Sequence, residues 1–144
     1  MAEAAQPYRH LIRVPYADVD QMKFVYYANY LVYFEMARTG LLRNAGVPYS
    51  VLEKRGVLLP VMTSHCEYRL PAHYEDLLAV DTRCTPFRGA RFRIEYTVWR
   101  VGTGADETPA EETLLAEGYT DHVCMSPDGS VLRPDPVFKR IAQG

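Results

Sequence analysis

No stretch of this sequence approaches the roughly 18 consecutive apolar residues that a membrane-spanning helix needs. The opening, Met1 to Pro7, also lacks the charged and apolar regions of a signal peptide. Membrane insertion and export are therefore not expected, and the chain reads as cytoplasmic. An excess of one charge is missing too: 16 Lys and Arg stand against 18 Asp and Glu, a formal net charge of −2. Without a basic run there is no general attraction for phosphates, so neither nucleic acid nor an anionic membrane surface is an expected partner. Cysteine is sparse and odd in number. Cys66, Cys84 and Cys124 lie far apart with no C-x-x-C spacing, which suits reduced thiols packed as small apolar groups rather than disulfides or a zinc site. His10, His65, His73 and His122 are equally scattered, without H-E-x-x-H, so no metal is expected. The G-x-S-x-G elbow and the G-x-x-x-x-G-K loop are both absent, which removes serine-triad hydrolysis and phosphate-loop chemistry.

What remains is ample material for one core. The 144 residues are 48% hydrophobic and 12% aromatic, and no internal repeat or linker divides them, so residues 1–144 are expected to form a single domain. Tyr8 to Tyr16 mixes aromatic, branched and basic residues and reaches a proline at Pro15, as an opening strand would. From Tyr27 to Asn44 apolar residues recur at steps of three and four through Tyr30, Leu31, Phe34, Ala37 and Leu41, which is helix period. Gly46 and Pro48 then stop it. Few strongly polar side chains interrupt that segment, so the helix must be mostly buried.

The rest reads as strands over Val57–Leu70, Leu77–Thr85, Arg91–Val101 and Thr113–Met125, a short piece near Val131, and a terminal helix over Asp135–Gln143. Phe92, Ile94, Tyr96 and Val98 alternate with Arg91, Arg93, Glu95 and Thr97, giving that strand one dry face and one wet. Turn-rich connections such as Ser126-Pro127-Asp128-Gly129 suit an antiparallel meander. The expected fold class is α+β, with a long central helix wrapped by a curved antiparallel sheet.

Chemistry concentrates just before the helix, in Tyr16-Ala17-Asp18-Val19-Asp20-Gln21-Met22-Lys23-Phe24-Val25-Tyr26-Tyr27-Ala28-Asn29-Tyr30. A helix start presents unpaired N–H groups and a partial positive charge, and so can hold an oxyanion developing on a carbonyl. A carboxylate beside it can attack that carbonyl or activate water. On spacing alone, Asp18 or Asp20 could equally serve the helix end or close an Asx turn. Tyr26, Tyr27, Tyr30, Tyr33 and Phe34 form an aromatic band that suits either core or a pocket wall. Glu35 and Arg38 stand three apart, as an ion pair on one helix face would.

The pattern D-x-D-Q-M-x-x-V-Y-Y-x-N-Y, followed by Y-F-E-x-A-R, resembles the active-site signature of the 4-hydroxybenzoyl-CoA thioesterase family, whose members have a hotdog fold. A weaker family-like stretch follows in Tyr68 to Leu78. The resemblance implies an acyl-CoA thioesterase acting on a small, aromatic or fatty acyl group. Asp20 would then be nucleophile or general base and the Tyr27 N–H the oxyanion donor. From the aromatic band, Tyr26 and Tyr30 are the candidate substrate contacts; the resemblance adds Glu35, and Arg88 and Arg91 for the nucleotide end of coenzyme A. Coenzyme A would enter as part of the substrate, with no other cofactor. Joined sheets would make a homodimer or homotetramer with sites between subunits. One departure stands out: Lys23 occupies a position that relatives usually fill with Gly, where a left-handed turn would be easiest. Two rival readings keep the fold and change the role: a thioesterase acting on acyl carrier protein, and a non-catalytic acyl-CoA-binding or scaffold protein.

Overall fold

A computed structural model of the chain describes residues 7–85, 89–105 and 111–143. Strand β1 (Tyr8–Arg13) leads through a single 3-10 turn at Tyr16–Asp18 to helix α1 (Asn29–Asn44), then to a short helix α2 (Tyr49–Lys54). Four strands follow, β2 (Val61–Tyr68), β3 (Leu77–Cys84), β4 (Phe92–Gly102) and β5 (Thr113–His122). A small ladder of β6 (Cys124–Met125) with β7 (Val131–Leu132) precedes the terminal helix α3 (Pro136–Gln143).

The five long strands form one wholly antiparallel sheet in the order β1-β3-β4-β5-β2. Strands β3, β4 and β5 make the expected meander. Strand β2, which the chain reaches after the helices, pairs with β5 at the far edge, with Cys66 opposite Gly118 and Tyr68 opposite Ala116. The stretch Val57–Leu70 is therefore not one strand. Leu58 bridges to Met125, and β2 proper begins only after Pro60, which has no N–H for a ladder. Thr113–Met125 is likewise divided, at Val123.

Helix α1 lies against this sheet because its apolar stripe is continuous: Tyr30, Tyr33, Phe34, Ala37, Leu41 and Leu42 are all buried. They meet the dry face of β4, where Phe92, Ile94, Tyr96 and Val98 are buried as their alternation requires. Gly40 lets the helix cross β1 closely, since a Cβ there would meet the Tyr8 hydroxyl and the His10 ring. Helix α3 closes the core at the other end. Phe138 is fully buried, 4.5 Å from the Phe92 ring, and Arg140 Nη2 donates to the Ala45 carbonyl at 2.6 Å, just past the C-terminal end of α1.

A chain of polar groups runs through the apolar layer. Arg38 Nη1 donates to Tyr96 Oη at 3.1 Å, Tyr96 Oη lies 2.6 Å from Thr120 Oγ1, Thr120 Oγ1 lies 2.7 Å from His122 Nε2, and His122 Nδ1 lies 3.1 Å from the Pro60 carbonyl. A carbonyl only accepts, so His122 carries its proton on Nδ1 and receives the Thr120 hydroxyl at Nε2; Thr120 in turn accepts from Tyr96. Every member is satisfied, which is what a buried polar group requires. The expected Glu35 to Arg38 pair does not form, because Arg38 turns inward to Tyr96 while Glu35 stays exposed.

Candidate active site

The acidic loop is a small hairpin. Asp20 N–H donates to the Phe24 carbonyl and Lys23 N–H to the Asp20 carbonyl, each at 3.0 Å, Val19 bridges Val25, and Tyr26 N–H donates to the Asp18 carbonyl at 2.9 Å. The tight tip requires a left-handed residue, and Lys23 takes that role at φ 71°. This is the conformation for which glycine was expected, held here by a residue with a side chain. The hairpin rests on the turn between β2 and β3 through Val25 N–H, which donates to the Ala72 carbonyl at 2.9 Å. That turn is fixed by Asp76, 4% exposed, whose Oδ2 accepts the His73 N–H at 2.8 Å and faces Arg100 at 3.5 Å.

At the hairpin tip, Asp20 Oδ1 accepts the Met22 N–H at 2.8 Å, which orients the carboxylate and leaves Oδ2 with no partner among the described residues. Asp18 faces the other way: its Oδ2 accepts the Tyr33 hydroxyl at 2.7 Å, and its carbonyl accepts Asn29 Nδ2 at 3.0 Å. Burial, together with Asp18, pushes the Tyr33 hydroxyl well above the usual tyrosine range. The two acidic residues of D-x-D thus separate cleanly, one at the tip and one in the base.

Helix α1 begins without a side-chain cap, since Ala28 has none to offer. The carbonyl of Tyr27 accepts the Tyr30 N–H at 3.2 Å and the Tyr68 hydroxyl at 3.0 Å. Burial and the neighbouring Cys66 raise the pKa of that hydroxyl to about 12, so Tyr68 remains a donor at neutral pH. The Tyr27 N–H donates to no acceptor among the described residues.

Between hairpin, helix start and the end of β2 lies a cleft of about 280 Å³ lined by Asp20, Met22, Phe24, Val25, Tyr27, Tyr30, Tyr68, Arg69, Leu70 and Pro71. It brings together Asp20, Tyr27 and Tyr30. Its far end is aromatic, with Tyr30 buried and edge-on to Tyr68 at 5.1 Å. Tyr26, exposed before the helix start, lies tilted against Tyr27 with ring centroids 4.7 Å apart and does not line the cleft. Glu35 stands further along α1 and does not reach it either.

Arg88 lies outside the described residues. Arg91 is exposed just before Phe92, which pairs with His122 on β5, whereas the cleft residue Tyr68 pairs with Ala116; six residues at about 3.4 Å each set the two about 20 Å apart. The arginine at the cleft is Arg69, whose Nη2 reaches Glu67 at 2.6 Å and Glu117 at 2.7 Å. Tyr68 and Arg69 were legible only as members of a family-like stretch, and Asp18 only as one of two acidic residues before the helix, because their roles come from contacts between distant segments.

Among the described residues no group of three or more His, Cys, Asp or Glu side chains could hold a metal ion, and no helix is long and apolar enough to cross a membrane. Cys66, Cys84 and Cys124 are free thiols, the last two buried.

Comparison with known proteins extends the likeness from the loop to the chain. The protein is 37% identical over 114 residues to YneP of Bacillus subtilis, provisionally named an acyl-CoA thioesterase, covering 79% of this chain and 76% of that one. It is 32% identical over 120 residues to the acyl-CoA thioester hydrolase YbgC of Escherichia coli, covering 83% of each. A crystal structure of 4-hydroxybenzoyl-CoA thioesterase, 19% identical, superposes with a TM-score of 0.81 over 96% of this chain and 99% of that one, which shows the same hotdog fold. The family model for the thioesterase-like superfamily matches residues 14–141, from just past β1 to the terminal helix, and the chain belongs to that superfamily.

Proposed function

We propose that this protein hydrolyses acyl-CoA thioesters in the cleft at the start of α1. One juxtaposition carries the reading: the Asp20 carboxylate, oriented through one oxygen and open at the other, shares an apolar cleft with the unpaired N–H of Tyr27. A thioester carbonyl seated there receives that N–H on its oxygen, where negative charge grows as the carbon becomes tetrahedral. Asp20 either attacks the carbon directly or takes a proton from the water that does. In both cases the carbon–sulfur bond breaks, coenzyme A departs as the thiol, and water supplies the new oxygen of the carboxylate product. The aromatic walls at Phe24, Tyr27 and Tyr30 receive the acyl group, and the reaction so drawn uses no metal or further cofactor.

The same reading makes the protein a homodimer, with a homotetramer as a pair of such dimers. Strand β2 is an unpaired edge exposed along nearly its whole length, with Val61, Met62 and Tyr68 each close to half exposed, and Leu31, Val32 and Met36 continue the apolar surface on α1. Such an edge in a monomer invites strand pairing. Antiparallel pairing of β2 with its copy sets Tyr68 of one chain near Val61 of the other. The start of β4 in the second chain, with its Arg91, then comes toward the cleft, where the phosphates of coenzyme A need cations. Free thiols suit a reducing compartment, and we place the protein in the cytoplasm.

Thiol release from short, long and aryl acyl-CoA esters, compared between wild type and Asp20→Asn at equal folding, tests the reading. Asp20→Asn is expected to lower kcat by about 100-fold or more, as loss of a nucleophile or general base does. Turnover retained in Asp20→Asn would overturn the assignment. Release from acyl carrier protein alone would move the substrate to that carrier, and binding of CoA esters without release would make the protein a scaffold.

A further inference from the structure

We propose that Asp18 is the positioning residue of this site, tying the hairpin that presents Asp20 to the helix that presents the Tyr27 N–H. The proposal rests on the thioesterase reading for what those two groups do, and on contacts of the chain for how they are held. Asp18 does not line the cleft and so acts through others. Its carboxylate accepts the hydroxyl of Tyr33, one turn into α1 and 1% exposed, at 2.7 Å. Its carbonyl accepts two donors, the Tyr26 N–H at 2.9 Å and Asn29 Nδ2 at 3.0 Å. Tyr27 lies between those two donors, so the peptide carrying the oxyanion donor is held on both sides by a single oxygen. Asp20 follows two residues after Asp18, and its own N–H is bonded across the hairpin to Phe24.

The helix start has no side-chain cap of its own, because Ala28 and Tyr27 cannot supply one. Asp18 provides the restraint from a neighbouring segment. Its carboxylate is spent on Tyr33 and its charge is not the feature in use; an uncharged acceptor of the same shape can take the same hydroxyl. Catalytic groups must be held tightly, since a displacement of about 1 Å can cost about 100-fold in rate.

Asp18→Asn, Asp18→Ala and Tyr33→Phe decide the matter, read by kcat and KM with the best acyl-CoA and by amide hydrogen exchange over residues 19–30. We expect Asp18→Ala and Tyr33→Phe to lower kcat by about ten- to 100-fold with KM little changed, and to speed exchange at Asp20 and Tyr26. Asp18→Asn should stay near wild type in both. Asp18→Asn as damaging as Asp20→Asn would overturn the proposal by giving Asp18 a part in the chemistry. Wild-type kcat and exchange in Asp18→Ala and Tyr33→Phe would overturn it by showing that nothing is held. Should Asp18→Ala not fold, Tyr33→Phe with Asp18→Asn poses the same question. Absence of thiol release from the wild type would count against the thioesterase reading alone, and the exchange rates would still decide the clamp.

Discussion

Phe34 of α1 and Tyr96 of β4 lie face to face, ring centroids 4.3 Å apart and planes within 5°. Both are buried, and they join the helix to the middle of the sheet at the point where the polar chain from Arg38 enters the core. Phe34→Ala removes the larger part of that contact. It should lower unfolding free energy by about 3–5 kcal/mol, measured by urea denaturation, and a loss below about 1 kcal/mol would show that the core refills the space.

Lys23 holds a backbone conformation that disfavours every residue with a Cβ except in compensation. Lys23→Gly should therefore raise stability by about 0.5–1 kcal/mol while leaving the hairpin intact. Thermal unfolding of the two proteins side by side checks the sign, and a lower melting temperature in the variant would show that the lysine side chain contributes more than its backbone costs.

His122 is buried neutral, its pKa lowered from 6.5 to about 4, first by burial and then by the Arg38 charge. The unfolded chain therefore binds a proton between those two values that the folded chain refuses. Stability should fall as pH drops from 6.5 toward 4 and lose nothing further to this group below that. The full effect is on the order of 3 kcal/mol. His122→Gln, which retains a donor and an acceptor, should flatten this part of the stability profile, measured as urea midpoints across the window. A profile as steep as wild type would assign the acid sensitivity to other groups.

Met62→Glu places a charge on the exposed edge strand, where pairing with a second copy would have to bury it. Sedimentation equilibrium should show the wild type as a dimer or tetramer and the variant shifted to monomer. A monomeric wild type at assay concentration would remove the proposed second chain from the site.

The α1 stripe was readable because Tyr30, Phe34, Ala37 and Leu41 repeat at helix spacing over about three turns, and β4 because Phe92, Ile94, Tyr96 and Val98 alternate strictly with less buried residues. Neither signal depends on distant segments. The helix begins at Asn29 rather than Tyr27 because the first carbonyls, of Tyr26 and Tyr27, are taken up in tighter turns. Helix α2 was missed because six residues beginning at Tyr49 are too few to display a period. The place of β2 beside β5 depends on a close approach at Gly118, where a Cβ would clash with the His65 carbonyl, and no local pattern carries that.

For the site, the motif pointed to Asp20, Tyr27 and Tyr30, which the structure brings into one cleft. The roles of Asp18 and Asp20 could not be told apart by spacing, since both precede the helix. The difference lies in which way each carboxylate turns, toward Tyr33 or toward Met22 N–H. The arginines show the same limit: Arg91 and Arg69 look alike in sequence, and only strand register separates them to different ends of the sheet.

The Pro60 carbonyl that accepts the His122 ring also stands at the entrance to β2, just before the irregular pairing between Val61 and Thr63. A strand at the margin of a sheet can slip by one residue, and a slip would turn every side chain of β2 to the opposite face. Such a slip would carry the Pro60 oxygen away from His122 and leave the histidine proton stranded in the core, with consequences passed back through Thr120 and Tyr96 to Arg38. The frame of this edge strand is thereby latched from inside the molecule, so that the same side chains of β2 always face outward.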